Sequence, residues 1–427
     1  MGGIVTGSRL RRDLGTSDAV VVGLAAMIGT GVFVVWQPAV AAAGGAVLLA
    51  LLLAAFVAWL NATSSAGLAA LHPRAGGAYH YGRIRLGPTW GALAGFAFVI
   101  GKTASAATAA LAIGTYLWPA QAVPVAILTV VVLTAVNVAG VRKTALVSRV
   151  VVVLVVLALL TVCAVAVSRP PTLQPIVSRV DAGPLGVLTG AAVLFYAFAG
   201  YARITVLGEE VREPQRTIPR AITIALSLTF VLYALVGAAV MATLGTEGAE
   251  SSTVPVRAMA EAANVSGLIA VVAVGAALAA IGALLSLLAG IGRTAFAMAD
   301  DGVLPRYLAA VHQRSQVPHR AEIAAALVAS AAVLGGDLVT TLSVSAFTVL
   351  VYYAVAHLAA TRLAGDERRF GAWVPWAGLV SCLALAASLP WRAVVIGALA
   401  LAVATGTWWV MDRRGSASPP QLPPTAT

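Results

Sequence analysis

Apolar residues run along this chain in blocks of about twenty, separated by short polar stretches rich in arginine. A helix rising 1.5 Å per residue needs about that length to cross the hydrocarbon of a bilayer. The pattern predicts twelve spanning helices, at about 19–43, 46–70, 89–117, 120–139, 147–168, 185–208, 219–244, 265–291, 321–336, 341–362, 372–389 and 391–411. The ninth is short. The first is longer than the roughly 7–15 residues of a signal-peptide core, so it is expected to be retained as a span. The expected fold class is an all-α integral membrane protein. A single transmembrane domain covers 19–411, between an N-terminal segment at 1–18 and a disordered Pro- and Ser-rich tail at 412–427.

Composition supports this. Of 427 residues, 60% are hydrophobic and 10% charged, against roughly 25% charged in soluble domains. The net charge of +11 is spread between the apolar runs and not gathered in one domain, which argues against a nucleic-acid partner. With both termini placed in the cytoplasm, twenty-one Lys and Arg fall in inner segments against four in outer ones, so the positive-inside bias predicts that orientation in the cell membrane. Cys163 and Cys382 lie in apolar stretches with no disulfide or metal spacing. Asn61-Ala62-Thr63 matches a glycosylation sequon only by chance, because it lies inside a span.

Two spans carry features a membrane helix does not need. The first contains "AMIGTGVF", with Gly29 and Gly31 two residues apart around Thr30. A small-residue packing face repeats every four residues, whereas a tight glycine pair suits an unwound point. Unwinding in lipid is tolerated only beside a polar cavity or a ligand. The sixth span contains "FYAFAGYARI", with Phe198, Ala199, Gly200 and Tyr201 at mid-membrane. Interruptions at matching positions of two halves point to a transporter built from inverted repeats. A broken helix offers free N–H groups to a carboxylate and free carbonyls to an amine, so a pair of breaks suits a zwitterion.

"GLAAMIGTGVF" resembles the first-helix signature of the amino acid–polyamine–organocation permeases, Gly-x-Gly-x-x-Ile-Gly-x-Gly-Ile-Phe. Gly23, Ile28, Gly29, Gly31 and Phe33 match, while Ala25 and Val32 depart from it. "HPRAGGAYHYGRIRLGPTWG", "GEEVREPQRTIPRAI" and "GRTAFAMADDGVLP" resemble the family's segments after spans two, six and eight. The resemblance implies a LeuT-like fold of five plus five helices in inverted repeat, about 19–168 and 185–362, with two further helices at 372–411. It implies secondary transport of amino acids or related amines. It places the substrate carboxylate at Ile28, Gly29, Thr30 and Gly31, and the amino group near carbonyls of that break and of Phe198 to Tyr201. Tyr196 and Phe198 become aromatic gates or pocket walls. No cofactor is expected beyond a proton gradient or a counter-substrate.

Lys102 sits near the middle of span three and is one of two lysines in the chain. An ionisable group at that depth is costly and is read as functional. The resemblance implies that it lines the pocket. Two roles are open to it: carrying a proton, or standing in for a sodium ion. The latter belongs to a fifth-helix lysine in proton-coupled relatives, a residue absent from "VVVVLVVLALLTVCAV". Either role disfavours cationic side chains nearby. Ala26, Ser105 and Ala199 make the expected pocket small, which favours a neutral or small apolar amino acid over a polyamine. Arg203 and Glu209 are the expected inner gate or ion pair, with Glu210 an alternative partner. His357 and Asn137 read as packing or capping groups.

A membrane enzyme lacks its sequence marks here: there is no His-Glu-x-x-His, no Gly-x-Ser-x-Gly and no intramembrane carboxylate pair. A channel filter needs charged rings or repeated carbonyl loops, and nothing repeats that way. The expected partners are a small amino acid and membrane lipid; no partner subunit is evident in the sequence.

Overall fold

The computed structural model describes residues 14–72, 76–140, 145–169, 182–205, 207, 211–365 and 367–416. The described residues are helical throughout, apart from loops and one isolated parallel bridge between Leu14 and Val211. In chain order the helices are α1 (Thr16–Met27), α2 (Gly31–Val34), α3 (Trp36–Ala43), α4 (Val47–Leu71), α5 (Ala78–Leu86), α6 (Pro88–Leu117), α7 (Ala122–Val138) and α8 (Ala145–Ser168). There follow α9 (Pro184–Phe198), α10 (Ala202–Thr205), α11 (Pro214–Ser251), α12 (Pro255–Ala262), α13 (Leu268–Asp300), α14 (His319–Gly335), α15 (Leu338–Thr361), α16 (Trp373–Ser388) and α17 (Trp391–Ser416).

Ten stretches among the described residues are long and apolar enough to cross a membrane. α14 and α16, of 17 and 16 residues, are shorter and occupy the expected ninth and eleventh spans. Several helices outrun their apolar windows. α13 continues nine residues past the expected limit at 291, to Asp300, and α11 begins at Pro214 instead of 219. Hydropathy marks only the part of a helix that lipid surrounds, and backbone hydrogen bonding carries the helix on into the polar interface. α11 also passes through Gly245, whose φ of 67° breaks the helical path before Ser251. α17 reaches Ser416, inside the segment expected to be tail.

Burial sorts the helices into centre and shell. In α6 and α15 78% of the spanning window is buried, against 17% for the spans ending in α7 and α17. α6 and α15 pack along each other, and α6 also packs on α13. The run Ala106, Ala107, Ala109 and Ala110 keeps α6 thin, and all four are fully buried. Small residues let backbones approach closely where lipid offers no hydrophobic drive for association. A separate buried cluster joins α6, α7, α13 and α14. The shell helices turn residues such as Leu157, Leu327, Leu399 and Val403 outward. In water so much exposed apolar surface would be a liability; in a bilayer it is the solvated face.

Candidate substrate site

The first span is interrupted as its glycines predict. α1 ends at Met27, and Ile28 closes it by donating its N–H to the Leu24 carbonyl at 2.8 Å. The ladder resumes with Phe33 N–H to Thr30 O at 3.1 Å. Among the described backbone hydrogen bonds, none engages the N–H of Gly29, Thr30, Gly31 or Val32. Val35 joins α2 to α3 in a right-handed helical conformation, so one arm runs from Gly31 to Ala43 with those donors at its start. The Thr30 hydroxyl is buried and has no partner.

The sixth span breaks more gently. α9 ends at Phe198, a single 3-10 turn covers Ala199–Tyr201, and α10 follows. The turn keeps the chain bonded: Ala199 N–H reaches the Phe195 and Tyr196 carbonyls.

Two glycines bring the breaks together. A Cβ on Gly31 would stand 2.7 Å from Cα and Cβ of Ala197, and one on Gly200 would run into the Ala26 carbonyl and stand 2.6 Å from Met27 N. Real side chains do not approach that closely, so backbone meets backbone at both points. Tyr233 of α11 then ties the ends. Its hydroxyl lies 2.5 Å from Met27 O and 3.2 Å from Ala197 O, donating to carbonyls beside both breaks. Tyr116 of α6 donates to Phe33 O at 2.9 Å. Tyrosine suits this work, because its ring packs in an apolar wall while its hydroxyl satisfies a freed carbonyl.

The expected site residues divide into two groups. Ala26, Tyr196, Gly200, Lys102 and Arg203 keep part of their surface open, whereas Ile28, Gly29, Thr30, Gly31, Ser105, Phe198, Ala199 and Tyr201 are buried. Phe198 packs edge-on to Tyr233 at 5.1 Å between ring centroids, and Tyr201 stacks on Tyr353 at 5.4 Å. The Tyr196 hydroxyl faces Ser105 and Thr108. These belong to a row of hydroxyls between α6 and α15: Ser105 and Ser345 share a hydrogen bond of 2.6 Å, and Thr108 donates to Thr341 at 3.0 Å.

Lys102 is half-buried, 6.0 Å from the centroid of Phe98. Among the described residues no carboxylate forms an ion pair with it. Arg203 sets its guanidinium toward Gly290 of α13. Glu209 and Glu210, its expected partners, lie outside the described residues. Among the described residues no group of His, Cys, Asp and Glu could hold a metal ion.

At the arginine-rich ends the polar segments close on one another. Arg83 pairs with Asp301 at 2.8 Å, and Tyr79 donates to the same carboxylate at 2.5 Å, tying α5 to the end of α13. Arg85 grips Glu367 with both terminal nitrogens, at 2.7 and 3.0 Å, and donates through Nε to His72. Those hydrogen bonds hold the Glu367 carboxyl at about 2, well below its ordinary value. Burial first, and the Arg85 charge second, lower the pKa of His72, leaving a neutral ring that accepts from Arg85. Arg149 of α8 pairs with Asp18 of α1.

A profile of the amino acid permease family matches residues 14–412 of this chain. The chain belongs to that family. An uncharacterized transporter of Mycobacterium tuberculosis is 50% identical to the permease over 94% of this chain and 91% of its own length. The branched-chain amino acid permease BcaP of Bacillus subtilis is 24% identical over 95% of this chain and 94% of its own. A vacuolar cationic amino acid transporter 4 of Arabidopsis thaliana is 28% identical, covering 82% of this chain and 62% of the plant protein.

Tyr233 and Tyr116, which hold the broken backbone, were not singled out from the sequence. One signal was present: a lone tyrosine inside an apolar span such as "FVLYALV" needs a partner for its hydroxyl when buried.

Proposed function

We propose that this permease is a secondary active transporter of a neutral or small apolar amino acid, coupled to protons or working by exchange. It would alternate access across the cell membrane, with both termini in the cytoplasm. The observation that carries this reading is the unengaged donor set at the first break: the N–H groups of Gly29, Thr30, Gly31 and Val32, with the Thr30 hydroxyl. Four convergent donors at the start of a helical arm suit an α-carboxylate. Backbone carbonyls of the two breaks would take the amine.

Lys102 supports the choice of side chain. The family resemblance has Lys102 lining the pocket, and a cation there without a paired carboxylate would repel a second cation, which argues against arginine, lysine and polyamines. The name of the Bacillus relative agrees with this choice and that of the Arabidopsis relative does not. At 24% and 28% identity neither name outweighs the residue itself.

The test is uptake of a labelled amino acid panel into proteoliposomes, with and without an inward proton gradient and with and without amino acid loaded inside. Saturable uptake of small neutral amino acids in either mode is expected. Absence of saturable uptake of every amino acid by folded, monodisperse protein would overturn the reading.

A further inference from the structure

Away from the breaks, a cleft opens where the ends of α4, α15 and α16 meet. Its walls are Ser64 and Gly67 of α4, Val374 and Pro375 of α16, and Arg368, Arg369 and Phe370 of the loop before α16. Ser64 lines the cleft, and its hydroxyl is buried with no hydrogen-bond partner. Arg368 donates through Nε to Leu363 O at 2.9 Å, and Arg369 through one terminal nitrogen to Gln215 O at 3.0 Å. Each guanidinium has five N–H donors, so most remain available. Among the described residues neither arginine forms an ion pair, and the neighbouring Glu367 is taken by Arg85 and the Ala364 N–H.

The surface leading to this cleft is apolar. Leu52, Phe56 and Trp59 lie on one stripe of α4 that continues to Thr63 and Gly67, and they are exposed at 55%, 46% and 37%. Phe56 stacks on Trp59 at 6.0 Å, and Trp59 meets Trp373 of α16 at 6.3 Å. Aromatic rings gather where hydrocarbon gives way to headgroups. Along this one groove the order is aliphatic, aromatic, hydroxyl and then paired guanidinium. That is the order of chain, interface and phosphate in a phospholipid.

We propose that the groove between α4 and α16 binds an anionic phospholipid, its headgroup phosphate held by Arg368, Arg369 and the Ser64 hydroxyl and its acyl chain lying along Trp59 and Trp373. The cleft has a volume of about 20 Å³, enough for a phosphate oxygen or one water. A forked guanidinium matches phosphate oxygens in pairs. A phosphocholine headgroup would bring its quaternary ammonium against the same two cations. This site does not depend on what the permease carries.

The experiment titrates the purified full chain in detergent with phosphatidylglycerol, phosphatidylcholine or inorganic phosphate, and reads bound lipid by native mass spectrometry beside the thermal unfolding midpoint. Phosphatidylglycerol should bind saturably and raise the midpoint, and the other two should not. Arg368→Gln with Arg369→Gln should weaken that binding roughly thirty-fold, from the loss of two interfacial cations. Arg306→Gln with Arg314→Gln, an equal charge loss on the loop before α14, should leave it unchanged. Ser64→Ala removes only an unpartnered hydroxyl, so it folds whatever the double variant does, and it should weaken binding several-fold. The proposal fails if the control pair weakens binding as much as the test pair. It fails if inorganic phosphate alone reproduces the stabilisation, which would make the ligand a free anion. It also fails if Ser64→Ala and the test pair both bind like the parent.

Discussion

The two broken spans are broken to different degrees. At the first, the hydrogen-bond ladder stops between Ile28 and Phe33 and leaves four N–H groups and a hydroxyl unengaged. At the second, a 3-10 turn over Ala199–Tyr201 carries the ladder through, and the residues around it, Phe198 and Tyr201, are packed into rings of other helices. An interior polar group without a partner costs about 1–3 kcal/mol, so the first break holds a deficit that a ligand can relieve, and the second holds little. On the proposed function, the first break would supply donors to the substrate, and the second a close-fitting support that keeps those donors in place.

Gly31→Leu should have the largest effect. Its side chain would collide with the Ala197 backbone, parting the two breaks. Uptake should fall to background while insertion, read by membrane fractionation, stays intact; uptake at the parental rate would place the site elsewhere. Tyr233→Phe comes next. It removes the hydroxyl that serves Met27 O and Ala197 O and should cost about 1–3 kcal/mol of stability, read as a lowered unfolding midpoint. An unchanged midpoint would mean that the breaks do not need this tie.

Lys102→Ala should leave folding intact and change selectivity. Lysine and arginine should compete for uptake at least several-fold better than against the parent, and the pH profile of uptake should alter. An unchanged profile with unchanged competition would leave Lys102 as packing alone. The smallest effect belongs to the loops at the helix ends. Because the folded-state pKa of Glu367 is depressed, its pairing with Arg85 contributes stability that is fully present above about 4.5 and is lost as pH falls toward about 2. Glu367→Gln should therefore flatten the acid limb of the unfolding midpoint between those values and leave uptake at neutral pH little changed.

Much of this was legible in the sequence because lipid imposes strict rules. Each of the twelve apolar blocks holds helix among the described residues, and ten of them are long and apolar enough to cross a membrane; the errors fall at polar ends, where hydropathy ceases to report. The glycines at 29 and 31 marked the first break, since nothing in a plain span calls for two so close together. The second break was legible only by its match to the first, for a 3-10 turn needs no special residue. The ties were not legible. Tyr233 reaches Met27 across 206 positions, and His357 meets Asn61 at 2.6 Å across 296, with Cys382 donating to the same oxygen at 3.1 Å. Each was recognisable as a polar group needing a partner, and only the packing of α1 against α11, and of α4, α15 and α16 on one another, could choose it.

The most direct measurement of the central claim is competition against labelled uptake in proteoliposomes by the transported amino acid and by its uncharged α-carboxamide. If the donors of the first break hold the carboxylate, the amide should compete about tenfold more weakly or worse, the difference between a charge-assisted and a neutral hydrogen bond. An amide that competes as well as the amino acid would contradict the account, because Gly29 to Val32 would then not be where the carboxylate is read.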